Sequence, residues 1–186
     1  ILVTPGGGGD GETLVDWVLR AYEADVDMQN RALIVLGPFM QSSRQAEFMT
    51  RAEALQKVDT ITFDAHFERL VERTVGVVAM GGYNTFCEIL SFDKRALIVP
   101  RTIPRREQYI RASRAEELGL VRMLCDDGVR RTEDMITALH DLPQQPKPSD
   151  SIVPGILDGL ENVDRLVHQL LRKPSQTTPR LAERRS

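Results

Sequence analysis

The chain has 186 residues, 41% of them hydrophobic and 27% charged, enough to bury the core of one domain. Its 24 Lys and Arg against 27 Asp and Glu leave a formal charge of −3, without the basic excess by which nucleic-acid binders neutralise phosphates. Cys87 and Cys125 stand far apart and outside any metal-ligand spacing, which argues against a disulfide scaffold or a zinc site and for a reducing cytoplasm.

Short apolar, β-branched runs recur at Ile1–Pro5, Ala32–Leu36, Val58–Phe63, Val75–Met80, Ala96–Pro100 and Val121–Cys125. Each is followed by a segment with helical spacing. Continuous apolar runs belong to strands covered on both faces, so this alternation predicts an α/β fold, a mainly parallel six-stranded sheet flanked by helices. Ile1 opens what reads as a buried strand, so the chain is expected to be a piece of a longer protein. No stretch approaches the roughly 18 to 20 apolar residues that cross a bilayer, and no secretory leader is read at the start.

The first helix carries Leu14, Val15, Val18, Leu19 and Tyr22 on one stripe, with Asp10 as its expected N-cap. Further helices are predicted at Ser43–Lys57, Ala65–Arg73, Asn84–Phe92, Arg106–Leu118 and Thr132–His140. The domain is placed at residues 1–142. Pro143, Pro146 and Pro148 make residues 143–152 an extended connector. Residues 153–171 read as an amphipathic helix with Ile156, Leu160, Val163, Val167 and Leu170 on its apolar side. From 172 onward Arg172, Lys173, Arg180, Arg184 and Arg185 against Glu183 give +4 in a polar tail expected to be disordered.

Gly6-Gly7-Gly8-Gly9-Asp10-Gly11 joins the first strand to the first helix. Glycines permit a tight turn and close approach to the backbone, and a helix N-terminus offers unpaired N–H groups to a phosphate. Gly6, Gly8 and Gly11 satisfy the dinucleotide spacing, but the second strand runs into Gly37-Pro38-Phe39 without the acid that would hold a ribose in that motif. A turn without a ligand is the alternative. Gly81 and Gly82 form a second such turn, opening a helix with Asn84 and Thr85 in its first turn. Glu88 can accept two hydrogen bonds from vicinal hydroxyls, or it can complement a helix dipole. Arg101, Arg105, Arg106, Glu107 and Gln108 crowd the next loop and helix start, suited to phosphate and sugar hydroxyls or to a solvated first turn.

The sequence from Met80 to Arg111, MGGYNTFCEILSFDKRALIVPRTIPRREQYIR, resembles the C-terminal, nucleotide-sugar-binding domain of family 28 glycosyltransferases. The similarity lies in Gly82, Thr85 and Glu88 at the helix start and in Glu107, Gln108 and Tyr109 after the Val-Pro strand end, and it extends over roughly Ile1 to His140. The resemblance implies one half of a GT-B architecture that binds a UDP-sugar donor, and no metal or cofactor is expected to take part. It implies that Gly7, Gly8, Gly9, Asp10, Gly11, Gly81, Gly82, Asn84 and Thr85 hold the diphosphate. By the same resemblance Glu88 takes the ribose, Arg105, Glu107 and Gln108 the phosphate and sugar, and Asp64 and His66 the border of the base. Catalysis would then need an N-terminal acceptor domain carrying the general base, with any contact to the inner face of a membrane made by the parent protein. A nucleotide-sugar epimerase domain and a non-catalytic UDP-sugar-binding module are the other readings. Glu107 stands where the family has an amide, and Phe92-Asp93-Lys94 replaces an expected glycine, which leaves the sugar open.

Overall fold

The computed structural model describes residues 1–6, 10–151 and 159–172. Strands and helices alternate as β1 (Leu2–Thr4), α1 (Glu12–Ala24), β2 (Ala32–Val35), α2 (Ser42–Glu53), β3 (Val58–Ile61), α3 (Phe67–Glu72), β4 (Gly76–Ala79), α4 (Tyr83–Ser91), β5 (Arg95–Ile98), α5 (Glu107–Glu117), β6 (Arg122–Met123) and α6 (Thr132–Asp141). Every strand pairing is parallel, and the order across the sheet is β3-β2-β1-β4-β5-β6. This is a Rossmann-like α/β domain. The chain winds outward from β1 to β3, returns to the middle with β4 and winds the other way. The reversal sets the carboxyl ends of β1 and β4 side by side, Thr4 beside Ala79, and the loops leaving them turn to opposite faces and open a crevice.

Strand residues alternate between two apolar layers. Val3, Ile34, Val78 and Leu97 join α1 and α2 in one cluster with Trp17, Phe48, Met135 and Leu139. Their neighbours Leu2, Val77, Ala79 and Ile98 are equally buried and belong to the other face, where Val71, Ile89, Ala112 and Ala115 of α3, α4 and α5 lie. Trp17 also donates from Nε1 to the Arg131 carbonyl at 2.8 Å, tying α1 to the loop before α6.

The stretch expected to be an extended connector instead makes two 3-10 turns, Leu142–Gln144 and Pro148–Asp150. Prolines suit the first positions of such turns, and burial supplies the rest. Leu142 is fully buried, Arg95 Nε donates to the Gln145 carbonyl at 2.5 Å, and the Ser149 N–H donates to Asp93 at 2.8 Å. Ile1–Ile152 forms one compact unit and Val153–Ser186 a second. Of the second, helix α7 (Gly159–Arg172) is described, with Val163, Leu166 and Val167 exposed. The predicted start of that helix, with Ile156, and the tail beyond 172 lie outside the described residues. Among the described residues no helix is long and apolar enough to cross a membrane.

Candidate functional site

The turn after β1 is shaped by what cannot fit beside it. Gly6 has φ +88°, and its N–H donates to Thr4 Oγ1 at 3.2 Å. A Cβ on Gly11, the residue before α1, would stand 1.9 Å from Pro5 Cβ, and one on Gly37 would stand 2.9 Å from the Gly6 carbonyl oxygen. The loop after β2 is thus packed against the loop after β1. Gly7, Gly8 and Gly9 lie outside the described residues. Asp10 is not the N-cap. Gly11 occupies that position and α1 has no side-chain cap, because the Asp10 carboxylate is drawn to the Arg101 guanidinium, a full charge that outcompetes a backbone N–H.

The turn after β4 lies beside it. Gly81 is buried with φ +77°, and a Cβ there would meet Ile98 Cγ2 at 2.8 Å, so both conformation and space demand glycine. Arg111 Nη1 donates to the Gly81 carbonyl at 2.7 Å while its guanidinium lies 5.6 Å from the Tyr83 ring centre. Gly82 precedes α4 in extended backbone, with open space where a Cβ would be. Asn84 is exposed and Thr85 half-buried in the first turn. Glu88 sits in the second turn, and α4 has no acid in its first, so complementing the helix dipole does not account for it. Burial pushes the Glu88 carboxyl above the usual glutamate range, and the Glu68 carboxylate on neighbouring α3 adds to the shift.

Beyond β5 the chain turns through buried Pro100 to Arg101. Arg101 Nη1 pairs with Asp10, its Nη2 lies 3.5 Å from Glu107 at the start of α5, and its Nε is buried without a hydrogen-bond partner among the described residues. Gln108 is buried, and its Oε1 accepts the Arg101 backbone N–H at 3.2 Å. Sequence reasoning gave Gln108 to the sugar. In the structure its carbonyl is committed to shaping the loop, because its place on α5 turns it inward. Arg105 is exposed in the same loop. Met80, Val99, Arg101, Asp10, Asp126 and Arg130 help line a pocket of about 440 Å³ at this edge. A larger hollow, about 650 Å³, lies between β6 and α6 beside Glu116, Asp134 and Gln144, away from both glycine turns.

The structure therefore brings Asp10, Gly11, Gly81, Gly82, Asn84, Thr85, Glu88 and Glu107 to one edge of the sheet. Asp64 and His66 lie on the loop after β3, at the far end of that edge, where the Asp64 carboxylate accepts the His66 N–H at 2.6 Å. Sequence reasoning missed the Asp10 pairing of Arg101, the grip of Arg111 on Gly81 and the loop after β6, whose Asp126 pairs with Arg130 at 2.9 Å. Only the cluster of charges after Pro100 hinted at the first. The chain's one Asp-x-Asp triplet, Asp25-Val26-Asp27, follows α1 at the opposite edge, where His140 Nε2 lies 2.7 Å from Asp25. Among the described residues no three His, Cys, Asp or Glu side chains are grouped to hold a metal.

Residues 1–151 match the sequence pattern of the glycosyltransferase family 28 C-terminal domain. No curated protein matches the chain. Among solved structures, MurG from Acinetobacter baumannii is similar at TM-score 0.69 and 15% identity, over 91% of this chain and 49% of that one. The calicheamicin glycosyltransferase CalG4 follows at 0.59 and 16%, over 91% and 37%. The UDP-GlcNAc 2-epimerase from Neisseria meningitidis, solved with UDP-GlcNAc bound, gives 0.55 and 14%, over 93% and 43%. The chain spans less than half the length of each, and at these identities the likeness is one of fold.

Proposed function

The chain belongs to the glycosyltransferase family 28 C-terminal domain family, and from that membership we propose that it is the donor-binding half of a hexosyltransferase that takes a UDP-sugar. One observation carries the reading: two glycine-shaped turns, each opening a helix, stand side by side where the sheet order reverses, with Glu88 one turn further along the second helix. The N-terminal N–H groups of α1 and α4 face a diphosphate from its two sides. The Glu88 carboxylate accepts from both ribose hydroxyls, and Glu107, exposed at the start of α5, accepts from hydroxyls of the sugar. Such a site works by positioning the donor and stabilising the charge that develops on the leaving diphosphate. The acceptor and the general base belong to a second domain of the parent protein, and no metal or cofactor takes part. The family match favours transfer over an epimerase or a non-catalytic binding module.

Calorimetric titration of the chain with UDP, ADP, GDP, dTDP and NAD tests the reading. UDP is expected to bind best, and the chain alone is expected not to hydrolyse or transfer a UDP-sugar. Absence of heat with every nucleotide, or preference for NAD, overturns it.

A further inference from the structure

The arginine that the sequence would set against phosphate is Arg105, yet Arg105 is exposed and has no partner among the described residues, whereas Arg101 is held across the crevice. Arg101 is rooted just beyond β5, and its ion-pair partner Asp10 lies just before α1. The strands follow as β1-β4-β5, so a guanidinium joining these two points passes over the carboxyl end of β4, where the Gly81-Gly82 turn begins. Met80, at that strand end, lines the same pocket as Asp10 and Arg101. Other arginines nearby are engaged elsewhere: Arg111 with the Gly81 carbonyl, Arg130 with Asp126, and Arg106 over the Tyr109 ring at 5.4 Å. Arg101 keeps one buried donor, Nε, without a partner among the described residues, and faces two carboxylates, Asp10 and Glu107.

We propose that Arg101 is the side-chain cation that binds the donor's diphosphate, and that Asp10 competes with the diphosphate for it. A guanidinium offers a planar fork of donors that matches phosphate oxygens, and an unused Nε leaves that fork incomplete on one side. Two carboxylates around the cation would repel a diphosphate, so an incoming ligand must take Asp10's place on Nη1. The glycine turn and the β5 loop are thereby linked through one side chain whose pairing reports whether the diphosphate is bound. This assignment rests on the UDP-sugar reading.

Affinities for UDP and for uridine, measured by nuclear magnetic resonance titration on the wild-type chain and on Arg101→Ala, Arg101→Lys and Asp10→Asn, test it, with circular dichroism melts as the check on folding. Arg101→Ala is expected to weaken UDP about tenfold or more, as loss of a charge-assisted contact does, while uridine changes by less than about twofold. Arg101→Lys should recover part of the loss. Asp10→Asn should tighten UDP by about threefold or more, with uridine unchanged, because a competing anion is removed. Unchanged UDP binding in Arg101→Ala, or equal losses of UDP and uridine in a folded variant, overturns the role of Arg101 while leaving the donor reading intact. Weaker UDP binding in Asp10→Asn overturns the competition. Failure of the wild-type chain to bind UDP overturns the donor reading itself.

Discussion

Arg111 Nη1, on α5, donates a 2.7 Å hydrogen bond to the carbonyl of Gly81, thirty positions earlier in the turn after β4. The bond fastens α5 beneath the turn that opens α4. A hydrogen bond to a charged group contributes about 1.5 to 3 kcal/mol, so Arg111→Ala should lose stability of that order in denaturant titration. UDP affinity should fall with it, because the turn loses its support. Arg111→Lys should restore only part, since an ammonium keeps the charge but lacks the planar guanidinium that reaches both the Gly81 carbonyl and the Tyr83 ring. Wild-type stability in Arg111→Ala would show the contact to be idle.

Neighbouring glycines should separate folding from binding. Gly81→Ala meets both a left-handed backbone and Ile98 Cγ2 at 2.8 Å, and is expected to destabilise by roughly 1 to 3 kcal/mol. Gly82→Ala meets neither and should stay within about 0.5 kcal/mol of wild type. Its new Cβ stands where a phosphate would approach the backbone, so UDP should still bind more weakly. Thermal melts and UDP titrations of the two variants check the contrast.

Glu88→Ala should weaken UDP about tenfold or more with the fold intact. In the proposed site the ribose is held by the ionised carboxylate, whose protonation in the folded chain begins above the usual glutamate range. UDP affinity should therefore begin to fall, on acidification, at a higher pH than an ordinary glutamate would dictate, and Glu88→Gln should flatten that part of the profile. Stability runs the other way. A raised native pKa means that the folded chain takes up this proton more readily than the unfolded one, so Glu88 destabilises less as pH falls. Melting that drops on acidification solely through Glu88 would contradict this.

Glu107→Gln should reorder UDP-sugars relative to UDP, which itself should bind somewhat more tightly once one of the carboxylates facing Arg101 is gone. A carboxylate accepts from free hydroxyls, whereas an amide can also donate to an acetamido carbonyl. UDP-N-acetylglucosamine should gain on UDP-glucose in the variant. Titration of both forms with both sugars decides it, and an unchanged ranking removes Glu107 from sugar choice.

Asp16 governs part of the acid limit. Burial alone would raise its pKa, but Arg51, 2.8 Å away, and Arg20 outweigh that and hold the carboxyl below the usual aspartate range. A depressed native pKa gives stability present above the unfolded value of about 3.9 and lost as pH falls through the native one. Asp16→Asn should flatten the acid limb of a stability-versus-pH curve, and an unaltered limb would refute the link between α1 and α2 through this pair.

The central strands were legible because they are covered on both faces and so read as apolar runs, as at Val77–Ala79, whereas β3 and β6 at the sheet's edges carry exposed Asp59 and Arg122. Both glycine turns were legible because their geometry is local. Sheet order was not, since pairing β1 with β4 joins segments far apart in sequence. Asp10 misled because N-capping is a short-range rule, overridden by an arginine 91 residues away. The second task of Gln108, accepting the Arg101 backbone N–H, was not legible because a polar side chain does not announce that it points inward. The prolines of 143–148 suggested an extended linker, yet adjacent Leu142 fills space over Gly76, where a Cβ would come within 2.8 Å of it.

Gly37 belongs to the loop after β2, and the space it leaves is occupied by the carbonyl of Gly6. A redesign of donor preference by grafting a new first loop would have to respect that neighbour. Residues 6, 11 and 37 form a frame that accepts no side chain, by left-handed backbone at the first and third and by collision with Pro5 at the second. Libraries that randomise all of these positions would be filled with misfolded members. Exchange of the β1 loop between domains of this family should accordingly succeed when the β2 loop is carried across with it.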